Sequence, residues 1–173
     1  MRASPIVNCG VWNRAAMSLP DGERWMRLAL EEAQRCLRSD GPSDVPVGAI
    51  CVRNERIIGR GHNSRELTKD PTAHAEVLAI RAAAAQIGTW RLERVTLYVT
   101  LEPCPMCAGA IWLSRFSRLV YGARESKSGA CGSVWDVVRD PRLTWKPQVR
   151  GGVMAEESAS LLAAFFAARR REP

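Results

Sequence analysis

The stretch LYVTLEPCPMCAGAIWLS, residues 97–114, joins a strand pattern to a helix pattern through two cysteines. The segment before it is short and β-branched, as expected of a buried strand. Cys104 and Cys107 follow at the start of a helix, where residues three apart project to one side. Exposed backbone N–H groups of a first helical turn favour thiolates. Alone, the C-x-x-C spacing leaves a structural staple, a redox pair and half of a metal site as alternatives.

A second strand-to-helix junction lies thirty residues upstream, at Thr72 to Glu76 (TAHAE). We expect Thr72 to cap a helix that Gly88 ends. If the strands before the two junctions run parallel, both junctions meet at one edge of the sheet, where ligands usually bind. His74 would then join the two cysteines as a third zinc ligand and leave a fourth tetrahedral position for water. Glu76 is not needed as a ligand and is placed to shuttle protons.

The presence of both junctions helps to choose between a redox pair, a structural site and a catalytic metal site. Redox chemistry is disfavoured because the cysteines follow a proline-rich turn and because a histidine and a glutamate accompany them. A closed structural zinc site would need a fourth ligand, for which Cys131 and Cys51 are the candidates. H-A-E followed by P-C-x-x-C is the pattern of zinc nucleobase deaminases, in which the glutamate carries protons and does not bind the metal.

The remaining segments alternate between strands and helices, which favours a layered α/β fold. The expected elements are a first amphipathic helix, an antiparallel hairpin with its turn at Asn54 and Glu55, strands RVTLYVT, RLVYGA and QVRGGV, and a terminal helix AEESASLLAAFFAARRR. We expect one domain over residues 20–173, preceded by a flexible N-terminal extension over residues 1–19.

Composition and charge are those of a globular protein with a polyanionic partner. Of 173 residues, 46% are hydrophobic and 25% charged, and the net charge is +7. Arginine far outnumbers lysine, which suits phosphate and base contacts, although a bias toward arginine codons is the alternative. No apolar run reaches the length of a membrane span and the N-terminus lacks a secretory signal, so we expect a soluble, cytoplasmic protein with reduced cysteines.

From about Val45 through the terminal helix, the chain resembles the cytidine deaminase-like superfamily, and within it the bacterial tRNA-specific adenosine deaminases. The segments VPVGAI, DPTAHAEVLAIR, TLYVTLEPCPMCAGAI, VYGARESKSGACGS and LLAAFFAARRR carry the likeness in order. The resemblance implies a three-layer α/β/α sandwich around a central five-stranded mixed sheet.

The resemblance also implies an activity: hydrolytic deamination of the wobble adenosine of tRNA to inosine, with release of ammonia. His74, Cys104 and Cys107 would bind one Zn²⁺ per subunit, and Glu76 would be the proton shuttle. Family members act as homodimers on the anticodon loop of tRNA, from which the base is flipped out.

Further residues follow from the same resemblance. Asn63 matches an asparagine that hydrogen-bonds the base, and Glu125 stands where an aspartate near the sugar is more common. The pocket would be walled by the backbone of Ala75 and the turn at Pro103, with Val45 and Leu101 as its apolar sides. Further candidate RNA contacts are His62, where a tryptophan is common, and Arg124, Lys127, Arg169, Arg170 and Arg171.

Two alternatives remain open on sequence alone. One is a free guanine or cytosine deaminase with the same metal site, which would not need basic surface around its pocket. The other is a non-catalytic RNA-binding module stapled by zinc. Metal content and the effect of Glu76→Ala on ammonia release would separate these possibilities.

Overall fold

A computed structural model describes residues 19–37 and 43–170 of the chain. The expected extension lies outside these residues, apart from Leu19, at which the first helix begins; Arg171 also lies outside them. The elements are α1 (Leu19–Gln34), β1 (Gly48–Arg53), β2 (Arg56–His62), α2 (Arg65–Thr68), α3 (Ala75–Ile87), β3 (Thr96–Leu101), α4 (Pro105–Leu113), β4 (Arg118–Ala123), β5 (Gln148–Arg150) and α5 (Ala155–Arg169).

The five strands form one mixed sheet in the order β2-β1-β3-β4-β5. Strand β1 is antiparallel to both of its neighbours, whereas β3, β4 and β5 are parallel. Strands β2, β3, β4 and β5 therefore all point the same way, and their carboxyl ends share one edge with the start of β1. The mixed five-stranded sheet implied by the resemblance is confirmed.

Helices cover both faces of the sheet. Alternate residues of a strand point to opposite faces, and two separate clusters of buried side chains follow this alternation. On one face α1 packs against the sheet through Met26, Ala29, Ile50, Tyr98 and Val120. On the other face α3 and α4 pack through Ala79, Ile111, Ala49, Leu97 and Leu119. Helix α5 lies on the α1 side, because Ser158 contacts Gly122, which shares a face with Val120.

Two glycines of β2 bring α3 unusually close to the sheet. A Cβ on Gly61 would overlap the carbonyl oxygen of Ala75, and one on Gly59 would overlap that of Ala79. A glycine in a strand often marks such a close approach of another backbone. The contact at Gly61 holds the first turn of α3, and with it the neighbouring His74, against the end of β2.

The local structure differs from expectation at the start of α3. The prediction that Thr72 caps this helix is wrong: His74 occupies the N-cap position. Asp70 accepts hydrogen bonds from both the backbone N–H and the hydroxyl of Thr72, at 2.8 and 2.7 Å, so Thr72 belongs to the preceding turn. The end of the helix is as predicted, since Gly88 lies at its C-cap with a φ of 71°.

The loop before α3 contains the short helix α2, which the sequence pattern did not predict. Its first backbone N–H groups, those of Glu66 and Leu67, donate to the carboxylate of Asp44. The hairpin turn is as predicted, with Asn54 and Glu55 at φ values of 49° and 56°. Within the described part of the chain, no helix combines the length and the apolar character that crossing a membrane requires.

Candidate metal centre and active site

The two strand-to-helix junctions meet at the common edge of the sheet. His74 lies at the N-cap of α3 and Cys104 at the N-cap of α4, while Cys107 lies in the first turn of α4. Strands β2 and β3 point the same way, so the helices that follow them begin side by side. The expected convergence of these residues is therefore borne out by the topology.

The ligand atoms of the three residues have the spacing of a tetrahedral metal site. The Nδ1 atom of His74 lies 3.7 Å from the Sγ atom of Cys104 and 3.5 Å from that of Cys107. A tetrahedral zinc with ordinary Zn–N and Zn–S bonds holds such atoms about 3.6 Å apart. One nitrogen and two sulfurs are also a donor set that zinc accepts. The residue types and these two distances therefore fit Zn²⁺.

The group offers three possible metal ligands within the residues that the structure describes. Cys131 and Cys51, the candidates for a fourth ligand, are both buried but do not belong to it. Burial raises the pKa of each of these thiols, so they behave as neutral core residues. A three-ligand site keeps one position open, as catalytic zinc sites do.

The two ligand thiols are electrostatically unequal. A hydrogen bond from Cys107 and a second from His74 lower the pKa of the Cys104 thiol to about 4. The hydrogen bond to Cys104, together with burial, raises the pKa of Cys107. As a zinc ligand, Cys107 would bind in its thiolate form and would lose its proton.

Glu76 lies in the first turn of α3, beside the metal ligands. It is only 4% exposed. Burial raises the pKa of Glu76 to about 7. A carboxyl group with a pKa near neutrality can both accept and donate a proton.

Asn63 follows β2 and forms hydrogen bonds to two segments beside the candidate metal site. Its side-chain nitrogen donates to the carbonyl oxygen of Val45 at 3.0 Å, and its side-chain oxygen accepts the backbone N–H of Ala75 at 3.0 Å. This amide thus links the loop before β1 to the start of α3. Val45 and Leu101 are partly buried against the core on the α3 side of the sheet.

The segment after β4 reaches the same edge, because β4 is parallel to β3. Arg124 and Lys127 are exposed there, and Glu125 is half-buried. The Glu125 carboxylate accepts the backbone N–H of Lys127 at 2.8 Å, and the Glu125 backbone N–H donates to Glu102 at 3.2 Å.

Glu102 is the residue near the site that sequence reasoning missed. Burial raises its pKa, but the hydrogen bonds that it accepts from Ser133, Glu125 and Cys131 outweigh this and leave the pKa below its ordinary value. The signal in the sequence was its position: an acidic residue between the end of a central strand and the Pro103–Cys104 turn could have been predicted to lie near the site.

Two of the remaining candidate RNA contacts, His62 and Arg169, have protein partners. His62 has its Nδ1 atom 3.8 Å from the buried carboxylate of Glu32. Arg169 donates to the carbonyl oxygen of Ser43 at 2.8 Å and lies over the Phe165 ring. Arg170 is exposed at the end of α5. Because Ser43 precedes β1, the end of α5 lies at the same edge as the metal ligands.

Comparison with known proteins assigns the chain to a family. Residues 20–123 match the family of the cytidine and deoxycytidylate deaminase zinc-binding region. A tRNA-specific adenosine deaminase of Bacillus subtilis is 44% identical over 150 residues, which are 87% of this chain and 91% of that protein. Its counterpart in Haemophilus influenzae is 47% identical over 151 residues, which are 87% and 86% of the two chains. The chain belongs to the tRNA-specific adenosine deaminase family.

Solved structures of deaminases have the same fold as this family member. A tRNA:A34 deaminase studied for A-to-I editing at the wobble position superposes with a TM-score of 0.74. That protein is 42% identical, over 80% of this chain and 98% of its own. A guanine deaminase of Nitrosomonas europaea gives a TM-score of 0.67 at 25% identity, over 84% of each chain. The likeness is thus greater to the tRNA-acting structure than to this free-base deaminase.

Proposed function

We propose that this protein is a zinc-dependent hydrolase that converts the wobble adenosine of a tRNA anticodon to inosine and releases ammonia. The observation that carries the proposal is a three-ligand zinc geometry beside a buried glutamate, in a member of the tRNA-specific adenosine deaminase family. Such an enzyme would work in the cytoplasm, where tRNA is decoded.

The chain's own residues divide the chemistry between them. His74, Cys104 and Cys107 would hold Zn²⁺, which lowers the pKa of bound water to about 7 and so supplies a nucleophile at neutral pH. The Glu76 carboxylate would pass one proton of the attacking water to the N1 atom of the adenine and would then carry the second, from the new C6 hydroxyl group, to the exocyclic nitrogen. As the bond between C6 and the exocyclic nitrogen breaks, ammonia leaves and inosine remains.

The base would be oriented by groups at the same edge of the sheet. Asn63 donates one side-chain N–H to Val45 and accepts the N–H of Ala75 with its side-chain oxygen, so its amide retains a second N–H for a base acceptor. The Pro103 turn and the backbone of Ala75 would wall the pocket, and Val45 and Leu101 would form its apolar sides. This fixed amide favours one orientation of a flipped-out base.

Basic residues around this edge would bind the RNA backbone. Arg124 and Lys127 are exposed after β4, and Arg170 is exposed at the end of α5. We include Arg169, Arg171 and His62 in this surface, with Glu125 near the sugar. An anticodon loop presents splayed, single-stranded bases, which is how RNA is usually read in a sequence-dependent way. Binding through phosphates would weaken as salt rises.

The decisive assay measures inosine formation in an anticodon stem-loop with adenosine at the wobble position. Parallel reactions contain free adenosine, guanine and cytosine, and a stem-loop with adenosine at another loop position. Conversion of the wobble substrate alone is the expected result. Activity restricted to a free compound would identify a free-base deaminase, and a zinc-loaded protein without ammonia release would indicate a non-catalytic RNA-binding module.

We further propose that the enzyme is a homodimer that pairs through α4. Met106, Gly109, Ala110 and Leu113 recur at the spacing of one helical face. Met106 is 38% and Leu113 61% exposed, and a Cβ on Gly109 would meet open space. An apolar stripe of this kind on a small protein is typical of an interface.

Leu113→Glu is expected to convert the dimer to a monomer, because it places a charge at the most exposed apolar side chain of the stripe. Light scattering after size-exclusion chromatography measures the change directly. Phe166→Glu is the matched control: Phe166 is 45% exposed on α5, on the other side of the sheet. A Leu113→Glu protein that keeps the wild-type mass would exclude α4 as the interface.

A further inference from the structure

We propose that Glu102 is a positioning residue for the segment 124–133, which forms one side of the substrate site. Through this segment Glu102 sets the place of Glu125, and with it the binding of the nucleotide that is to be deaminated. The inference rests on the proposed function only for the identity of the substrate. The placement of the segment can be tested on the protein alone.

Four hydrogen-bond donors of this segment converge on the Glu102 carboxylate. Its Oε1 atom accepts the backbone N–H groups of Cys131 and Ser133, both at 3.0 Å. Its Oε2 atom accepts the backbone N–H of Glu125 at 3.2 Å and the hydroxyl of Ser133. With Glu102 only 2% exposed, these four donors stand where water would otherwise solvate the carboxylate.

The same segment is bound to the metal turn through backbone groups. Ala130 donates its N–H to the carbonyl oxygen of Pro103 at 2.8 Å, and Glu102 donates its own to Ala123 at 2.9 Å. A Cβ on Gly129 would lie 2.7 Å from the Cδ atom of Glu102. The segment therefore packs directly on the carboxylate of Glu102. Glu102 itself lies two residues before the proposed zinc ligand Cys104 in the chain.

Only an ionised carboxylate matches this set of partners. It offers about four lone-pair sites and no hydrogen, whereas all four neighbours are donors. Glutamine has nearly the same shape, but its NH₂ group would face a donor in either amide orientation. Glu102→Gln therefore leaves buried N–H groups unsatisfied, which is the costly way to lose a hydrogen bond.

The consequence for function lies in binding rather than in proton transfer. Glu102 accepts the backbone N–H of Glu125, and the Glu125 carboxylate in turn accepts the backbone N–H of Lys127. These residues lie beside the metal turn but are not among its ligands. A displaced segment should therefore weaken substrate binding while zinc and Glu76 stay in place.

The test compares Glu102→Gln with wild type in the zinc-loaded protein. Amide hydrogen exchange of Glu125, Cys131 and Ser133 is expected to speed up at least about tenfold. For the anticodon stem-loop we expect KM to rise about tenfold, kcat to fall less than about threefold, and zinc content to stay the same. Glu157→Gln on the exposed start of α5 matches the change in charge and should alter none of these quantities.

A second variant keeps the test decisive if Glu102→Gln does not fold. Ser133→Ala removes one of the four donors and should give a smaller effect of the same pattern. Ser158→Ala removes a buried hydroxyl that instead donates to the carbonyl oxygen of Met154, and serves as its control.

Unchanged amide exchange, loss of zinc, or a fall in kcat as large as the rise in KM would overturn the proposal. If the wild type does not deaminate RNA, the proposed function fails, and the exchange data still decide the role of Glu102.

Discussion

Replacing Glu76 by glutamine is expected to lower kcat for inosine formation by about 10²- to 10⁴-fold, the usual contribution of a general acid–base. The glutamine has almost the same volume in a position that is only 4% exposed, so the fold should survive. It cannot accept the proton of the attacking water, so the reaction should stall. Single-turnover measurements with the anticodon stem-loop would report the chemical step.

Zinc content decides how that result is read. The metal should remain at one ion per subunit, because the proposed ligands are His74, Cys104 and Cys107 and do not include Glu76. Glu157→Gln controls for the loss of one negative charge. A Glu76→Gln protein that holds zinc and still releases ammonia at the wild-type rate would remove Glu76 from the mechanism.

Replacing Cys107 by alanine is expected to abolish both zinc binding and activity. Cys107 is fully buried and supplies one of the two sulfurs of the proposed ligand group, so without it the site would keep only two protein ligands. Because zinc binds the folded state, losing it also costs stability. At a zinc concentration one thousand times the Kd, the metal adds about 4 kcal/mol to the free energy of unfolding.

Calorimetry and metal analysis would measure both effects. A loss of about 4 kcal/mol corresponds to a fall in Tm of roughly 8–16 °C for a domain of this size. Cys51→Ala is the matched control, since Cys51 is equally buried but lies on β1, outside the ligand group. If Cys107→Ala still bound one zinc ion tightly, the ligand assignment would be wrong. Chelation of wild-type zinc should reproduce the lower Tm.

Local sequence patterns predicted secondary structure correctly where the residues of a single segment decide it. The strand before Cys104, the helix after it and the Gly88 cap follow from hydrophobic period and backbone preference. The Thr72 cap was predicted wrongly because Asp70 competes for the same hydroxyl. Helix α2 was missed because the carboxylate that accepts N–H groups of its first turn, that of Asp44, lies more than twenty residues away along the chain.

The two motifs H-A-E and P-C-x-x-C were enough to predict the chemistry: one nitrogen and two sulfurs to hold a metal, and a glutamate to carry protons. How these residues come together depends on the tertiary structure. Because β1 pairs antiparallel with both β2 and β3, these two strands run in the same direction. The close contact at Gly61 fixes the position of the start of α3. The role of Glu102 was likewise invisible, because its partners are donors from residues 125–133, which only the fold brings to it.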